Sequence, residues 1–160
     1  MMIKNISRLR IIAVLFVLFT VLTGCSLTTT DEITSGQTDN TQETVISVIE
    51  DESYSTKDEV AAYLHEFGHL PPNYITKSEA QKLGWDNSKG NLWEVTDKMS
   101  IGGDYFGNRE GLLPKDKDRK YFECDIDYNG GYRGAKRIVY SNDGLIFYTE
   151  DHYESFERLY

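Results

Sequence analysis

The stretch Tyr121-Phe-Glu-Cys-Asp-Ile-Asp-Tyr128 decides the fold. Phe122, Cys124, Ile126 and Tyr128 alternate with Glu123, Asp125 and Asp127, a period of two that puts apolar side chains on one face of a β-strand and acids on the other. Downstream, residues 136–140 and 145–149 read as further strands, and a last one is expected around 155–159. Asn129-Gly130-Gly131 and Asn142-Asp143-Gly144 supply the turns. Upstream of residue 100 the period lengthens to that of helices. Thr56-Lys-Asp-Glu59 has the capping-box pattern, and Val60, Tyr63, Leu64 and Phe67 follow as one apolar stripe. Gly68 stops that helix and Pro71-Pro72 forbid its continuation. A second box, Thr76-Lys-Ser-Glu79, opens a short helix through Ala80 and Leu83 to Gly84; residues 91–95 make a third, with Trp93 as packing bulk. Helices followed by an antiparallel sheet specify an α+β domain over residues 56–160.

Residues 1–24 differ in kind. Lys4, Arg8 and Arg10 precede an apolar run from Ile11 to Leu22, too short to span a bilayer comfortably and laid out as an export signal. The run ends in Leu22-Thr23-Gly24-Cys25, which resembles the lipobox of bacterial lipoproteins, so Cys25 is the expected lipidation site. Residues 25–55 hold seven acids and no Lys or Arg, a composition that cannot bury enough apolar surface to order itself. They read as a flexible tether reaching roughly 30 Å. The expected product is an extracytoplasmic, membrane-anchored lipoprotein, or a secreted protein if the signal is cleaved without lipidation.

The 160-residue chain carries a net charge of −9, which taken whole argues against a nucleic-acid partner, since phosphate binding normally shows as a basic footprint. Divided by segment, the charges are +3 for residues 1–24, −7 for the tether and −5 for the domain. Most of the acidity lies in the tether. Within the domain, Glu123 occupies the acidic strand face, Arg137 a neighbouring strand and Arg133 the turn between. His152 falls between the last two strands, followed by Tyr153. One carboxylate, one imidazole and two guanidinium groups are the parts of phosphodiester cleavage: a proton acceptor, a proton donor and cations for the charge that builds on phosphorus. Spacing alone leaves this reading open beside that of solvated surface charge.

Longer runs carry a resemblance. Leu70-Pro71, Asn73-Tyr-Ile-Thr-Lys-Ser-Glu-Ala80, Leu83-Gly-Trp85, Ser88-Lys-Gly-Asn-Leu92, Ser100-Ile-Gly-Gly-Asp104, Asn108-Arg-Glu-Gly111, Asp125-Ile126, Arg137-Ile138, Tyr140-Ser141 and Asp151-His-Tyr153 occur in the order found in the barnase/binase family of guanyl-preferring bacterial ribonucleases. Residues 56–160 resemble that family along essentially their whole length. The resemblance implies the microbial ribonuclease fold, with N-terminal helices packed on a C-terminal antiparallel sheet. It implies Glu123 as general base on the ribose 2′-hydroxyl and His152 as general acid on the departing 5′-oxygen. Lys77, Arg133 and Arg137 are implied to stabilise the phosphorane. The loop Phe106-Gly107-Asn108-Arg109-Glu110 is implied to hold guanine, with Tyr153 adding substrate contacts. Single-stranded RNA would be cut to a 2′,3′-cyclic phosphate and then hydrolysed to a 3′-phosphate. No cofactor or metal is implied, because the nucleophile is the RNA's own 2′-hydroxyl. The expected partners are RNA, the membrane through Cys25 and a barstar-like inhibitor, for a protein acting as a monomer.

The chain departs from the family at Gly107, where relatives carry serine, and at Cys124, where they carry alanine. Cys124 is expected to be an inward packing residue rather than a reactive thiol. His65-Glu-Phe-Gly-His69 matches H-E-x-x-H, the zinc-protease signature. Gly68 ends the helix before both imidazoles can face one metal, so two surface histidines are expected instead. A different class of function is a catalytically idle lipoprotein that binds RNA or protein through the same fold; the joint presence of Glu123, Arg133, Arg137 and His152 argues against it.

Overall fold

Thr56 accepts a hydrogen bond from the Glu59 N–H and opens helix α1 (Lys57–Phe67). The computed structural model describes residues 46–160, so the expected signal peptide, Cys25 and most of the tether lie outside the described residues. Gly68, at φ 73°, closes α1 by donating its N–H to the Leu64 carbonyl, the left-handed ending that the sequence signals. Strand β1 (Tyr74–Ile75) and helix α2 (Lys77–Lys82) follow, the latter with both halves of its capping box formed between Thr76 and Glu79. A short helix α3 (Leu92–Val95) leads to strand β2 (Ser100–Phe106). Strands β3 (Tyr121–Asp125), β4 (Arg137–Ser141), β5 (Ile146–Thr149) and β6 (Glu157–Arg158) complete one sheet in the order β1-β2-β3-β4-β5-β6. Among the described strands only the β1–β2 pair is parallel. The α+β architecture expected from the sequence is thus the observed one.

The period-two pattern in β3 sorts its side chains between two cores. Cys124 and Ile126 join Ile138 and Ile146 beneath Val60, Ala61 and Leu64 of α1. On the opposite face Tyr121 packs with Val139, Phe147 and Leu113. Glu123 and Asp125 share that second face, and here the structure corrects the sequence reading: the acidic face is not solvated. Glu123 is 6% exposed and Asp125 2%.

Three boundaries also differ. Strand β3 stops at Asp125, because Asp127 turns to φ 55° and gives its N–H to the Ser55 carbonyl. The turn expected at residues 129–131 is part of a longer connection, 126–136, in which Gly130 lies so close to Trp93 that a Cβ would stand 2.7 Å from its ring. The last strand is shorter than expected. Residues 49–55, within the segment read as tether, bind the domain. The Tyr54 backbone and the Asn73 side-chain amide exchange two hydrogen bonds at 2.9 and 3.2 Å, and the Tyr54 ring packs against the main core.

A bulge between β2 and β3 sets which residue stands opposite Glu123. Gly102 pairs with Cys124 and Asp104 with Glu123, so Gly103, at φ 90°, is the extra residue. Gly102 sits where a Cβ would come within 2.6 Å of Tyr74, 2.7 Å of Cys124 and 2.9 Å of Leu70. Gly102→Ala is expected to lower unfolding stability by about 1–3 kcal/mol through overpacking, read as an earlier urea midpoint with unchanged slope.

Candidate active site

Lys77 is the first helical residue after the Thr76 cap. Its N–H donates to Asp104 Oδ2 at 2.9 Å, and its Nζ reaches Oε1 of Glu123. The second Glu123 oxygen accepts from the Tyr153 hydroxyl. A buried carboxylate is costly unless paired, and both oxygens of this one are engaged. Burial pushes the Glu123 pKa up; the hydrogen bonds from Lys77 and Tyr153, with the charges of Lys77 and Arg133, outweigh it and hold the group below the usual carboxylate range. Tyr153 responds oppositely. Burial and then the Glu123 carboxylate raise its phenol pKa, which keeps the hydroxyl a donor.

Two residues along β3, Asp125 collects two guanidinium groups. Arg133 donates from Nε and Nη2 to its two oxygens at 2.7 and 2.6 Å, a bidentate pair. Arg137, on β4 directly opposite Asp125, brings Nε within 3.0 Å of Oδ1 without hydrogen-bond alignment, and its Nη1 donates to the Gly134 and Lys136 carbonyls. Lys77, Arg133 and Arg137 therefore surround Glu123 and Asp125 as three cations against two carboxylates. The sequence reading does not single out Asp125 as a site residue. Its period-two spacing from Glu123 is the available signal.

His152 lies in the loop after β5, and Asp151 builds that loop. The Asp151 carboxylate accepts from the Thr149 hydroxyl at 2.7 Å, from the Glu154 and Ser155 N–H groups at 3.0 Å and from the Ser155 hydroxyl at 2.5 Å. Led by the Ser155 bonds, these bring its pKa down to about 2. Thr149 also accepts the Tyr153 N–H at 3.0 Å. The bracing holds His152 at φ 59° and Tyr153 at φ 79°, a region non-glycine residues seldom occupy. The exposed His152 ring is presented beside Tyr153, with centroids 4.6 Å apart.

The loop from Phe106 to Glu110 hangs on Asn108, at φ 42°. Its side-chain amide exchanges hydrogen bonds with the Leu113 backbone at 2.9 and 3.1 Å. Phe106, Gly107, Asn108, Arg109 and Glu110 line a cleft of about 730 Å³ together with His152 and Tyr153. Lys77, Glu123, Arg133 and Arg137 are outside that lining and connect to it through the Tyr153–Glu123 hydrogen bond. All the residues nominated in the domain thus fall into two adjoining groups, bridged by Tyr153.

The H-E-x-x-H match does not assemble. His65 stacks on Tyr160, with centroids 4.1 Å apart, while His69 lies beyond the Gly68 ending and faces Glu50 at 3.6 Å. Cys124 is fully buried, and burial followed by the Asp125 charge pushes its thiol pKa well up, so it packs and stays protonated.

A family model described as ribonuclease matches residues 55–160. The chain is 55% identical over 105 residues to a ribonuclease of Heyndrickxia coagulans, covering 66% of this chain and 96% of that protein. The identity is the same, 55% over 105 residues, to a ribonuclease of Bacillus intermedius, 65% of whose length is covered. It is 49% identical over 55 residues to guanyl-specific ribonuclease St of Saccharopolyspora erythraea, which spans 34% of this chain and 54% of that protein.

Because the Glu123 pKa is depressed in the fold, its ionised form adds stability above the unfolded-state pKa, and that contribution is lost as pH falls through the lower folded value. Lys77→Met is expected to raise the Glu123 pKa, read as a carboxyl carbon NMR titration displaced to higher pH. An unmoved titration would mean that Lys77 does not set it.

Proposed function

The chain belongs to the ribonuclease family, and from that premise we propose that it is a guanyl-preferring, metal-independent endoribonuclease acting outside the cytoplasm. The observation that carries the reading is the buried, ionised Glu123, paired with Lys77 and two residues from the Asp125 that holds Arg133 and Arg137, one hydrogen bond away from a cleft that also holds His152.

In the proposed reaction the guanosine 2′-hydroxyl gives its proton to Glu123 as its oxygen attacks phosphorus. The bond from phosphorus to the 5′-oxygen breaks, and His152 supplies the proton that oxygen takes away. Lys77, Arg133 and Arg137 balance the charge gathering on the equatorial oxygens. The lowered pKa makes Glu123 a weaker base. The incoming phosphate answers this by drawing Lys77 and Arg133 toward itself, which raises Glu123 basicity as the reaction begins. The resulting 2′,3′-cyclic phosphate is then opened by water to the 3′-phosphate. Glu110 and the backbone of residues 106–109 would hold guanine, an assignment supported by the relative named guanyl-specific. Gly107 keeps its backbone donor where relatives carry serine. A net domain charge of −5 does not oppose an RNA substrate, because a local positive cluster acts inside an acidic whole.

Residues 1–25 support export and lipid anchoring at Cys25, with the acidic segment expected as a tether over residues 25–55 shortened by the part, residues 49–55, that binds the domain. An enzyme of this kind endangers RNA inside the cell that makes it, which favours a barstar-like protein inhibitor as a cytoplasmic partner.

The purified protein incubated with a guanosine-containing dinucleotide is expected to yield the cyclic phosphate with or without EDTA. Glu123→Ala and His152→Ala should each lose about 10²- to 10⁴-fold in rate. Absence of cleavage by the intact protein would sink the proposal, and EDTA sensitivity would remove metal independence. Cys25→Ala is expected to abolish metabolic lipid labelling; undiminished labelling refutes the anchor.

A further inference from the structure

The cleft that holds His152 has a neighbour. Residues 105–109 are a wall shared with a second cleft of about 330 Å³, lined also by Lys115, Asp116 and Arg119 and by neither His152 nor Tyr153. Tyr105, on β2, is 67% exposed although it stands next to the partly buried Phe106. Gly107 lies between Tyr105 and Arg109. A Cβ there would be 4.0 Å from Tyr105 Cε1, 3.5 Å from Arg109 Cγ and 3.7 Å from Arg109 Nε. An aromatic ring and a guanidinium, two flat groups, therefore converge over the one residue in the wall with no side chain. Within this second cleft Arg119 is already committed to Asp143, at 2.7 to 2.9 Å, and to the Pro114 carbonyl. Arg109 and the exposed Lys115 make no hydrogen bond or ion pair among the described residues, and only Asp116 opposes them.

We propose that Tyr105, with Arg109 and Lys115, forms a further nucleotide subsite, in which the base of the nucleotide 5′ to guanosine stacks on Tyr105 and its phosphate meets the two cations. The inference rests on the ribonuclease reading for its polarity. Cleavage there sends the 3′ nucleotide out past His152, so a cleft without His152 is reached only by the 5′ side of the strand. Stacking on an exposed aromatic suits a subsite that tolerates any base. The two cations give a phosphodiester a local positive site inside an acidic domain.

Binding of uncleavable 2′-deoxy oligonucleotides to the full chain tests the subsite apart from catalysis. The trinucleotide d(ApGpA) is expected to bind at least about fivefold tighter than d(GpA), the low end of what one stacked base contributes. Tyr105 borders both clefts, so Tyr105→Ala should erase that gain while weakening d(GpA) binding far less than d(ApGpA) binding, and Tyr105→Phe should keep the gain. Lys115→Gln should retain most of the gain and make the salt dependence shallower by about 0.7 for each phosphate no longer neutralised. Equal affinity of the two oligonucleotides overturns the subsite. So does a Tyr105→Ala variant that weakens both alike, or one that removes instead the gain from a 3′ extension, d(GpApA). If the Tyr105-dependent gain is present but the ribonucleotide ApGpA is not cut, the subsite stands and the nuclease reading falls.

Discussion

Two carboxylates buried on one strand face are the constraint on which the rest of the site depends. Glu123 and Asp125 alternate with core residues, so forming β3 and burying its second face takes both acids out of water. An ionised carboxylate in that position is tolerable only with charged or hydrogen-bonding partners. The partners come from far along the chain. Lys77 reaches Glu123 from the start of α2 and Tyr153 from the loop after β5, while Arg133 and Arg137 converge on Asp125 from the β3–β4 connection and β4. Neutralising one strand thus assembles side chains from four places, and the assembly has the composition of a phosphoryl-transfer site.

The surrounding backbone is shaped to deliver those groups. The Gly103 bulge sets Asp104 opposite Glu123, where it receives the Lys77 N–H and steers the start of α2 toward the site. Asp151 gathers four donors and holds His152 and Tyr153 in left-handed conformations, a local cost that presents an imidazole to the cleft on one side and a phenol to Glu123 on the other. Asn108 does for the cleft loop what Asp151 does for the histidine loop.

Much of this is legible in the chain's local chemistry. The capping boxes at Thr56 and Thr76 and the glycine stop at Gly68 need only neighbouring residues, and the helices begin and end where they say. Strand alternation in residues 121–125 is equally local. The strand's end is not, because Asp127 leaves it to bond Ser55, a residue 72 positions earlier. Tyr54 shows the same limit: its sequence neighbours are acidic and polar, yet its ring packs on the core. Among the candidate site residues, Lys77 and Glu110 stand out only through family resemblance, since each reads alone as a solvated charge, while spacing brings Arg133 and Arg137 near Glu123 without deciding between site and surface. Asp125 escapes notice because its role exists only once two arginines arrive.

The sequence by itself determined the helix caps, the two faces of β3, the placing of helices ahead of all the sheet but β1, and which residue types were available for acid, base and phosphate work. These depend on interactions within a few residues and on a period that needs no partner to be read. Only the tertiary structure decided that the acidic face of β3 is buried and that Asp125 ties Arg133 to Arg137. It alone showed Tyr153 bridging the carboxylate to the cleft, and Tyr105 and Arg109 meeting over Gly107. Those outcomes turn on desolvation and on pairings between distant segments, quantities that take a value only when the chain has closed around them.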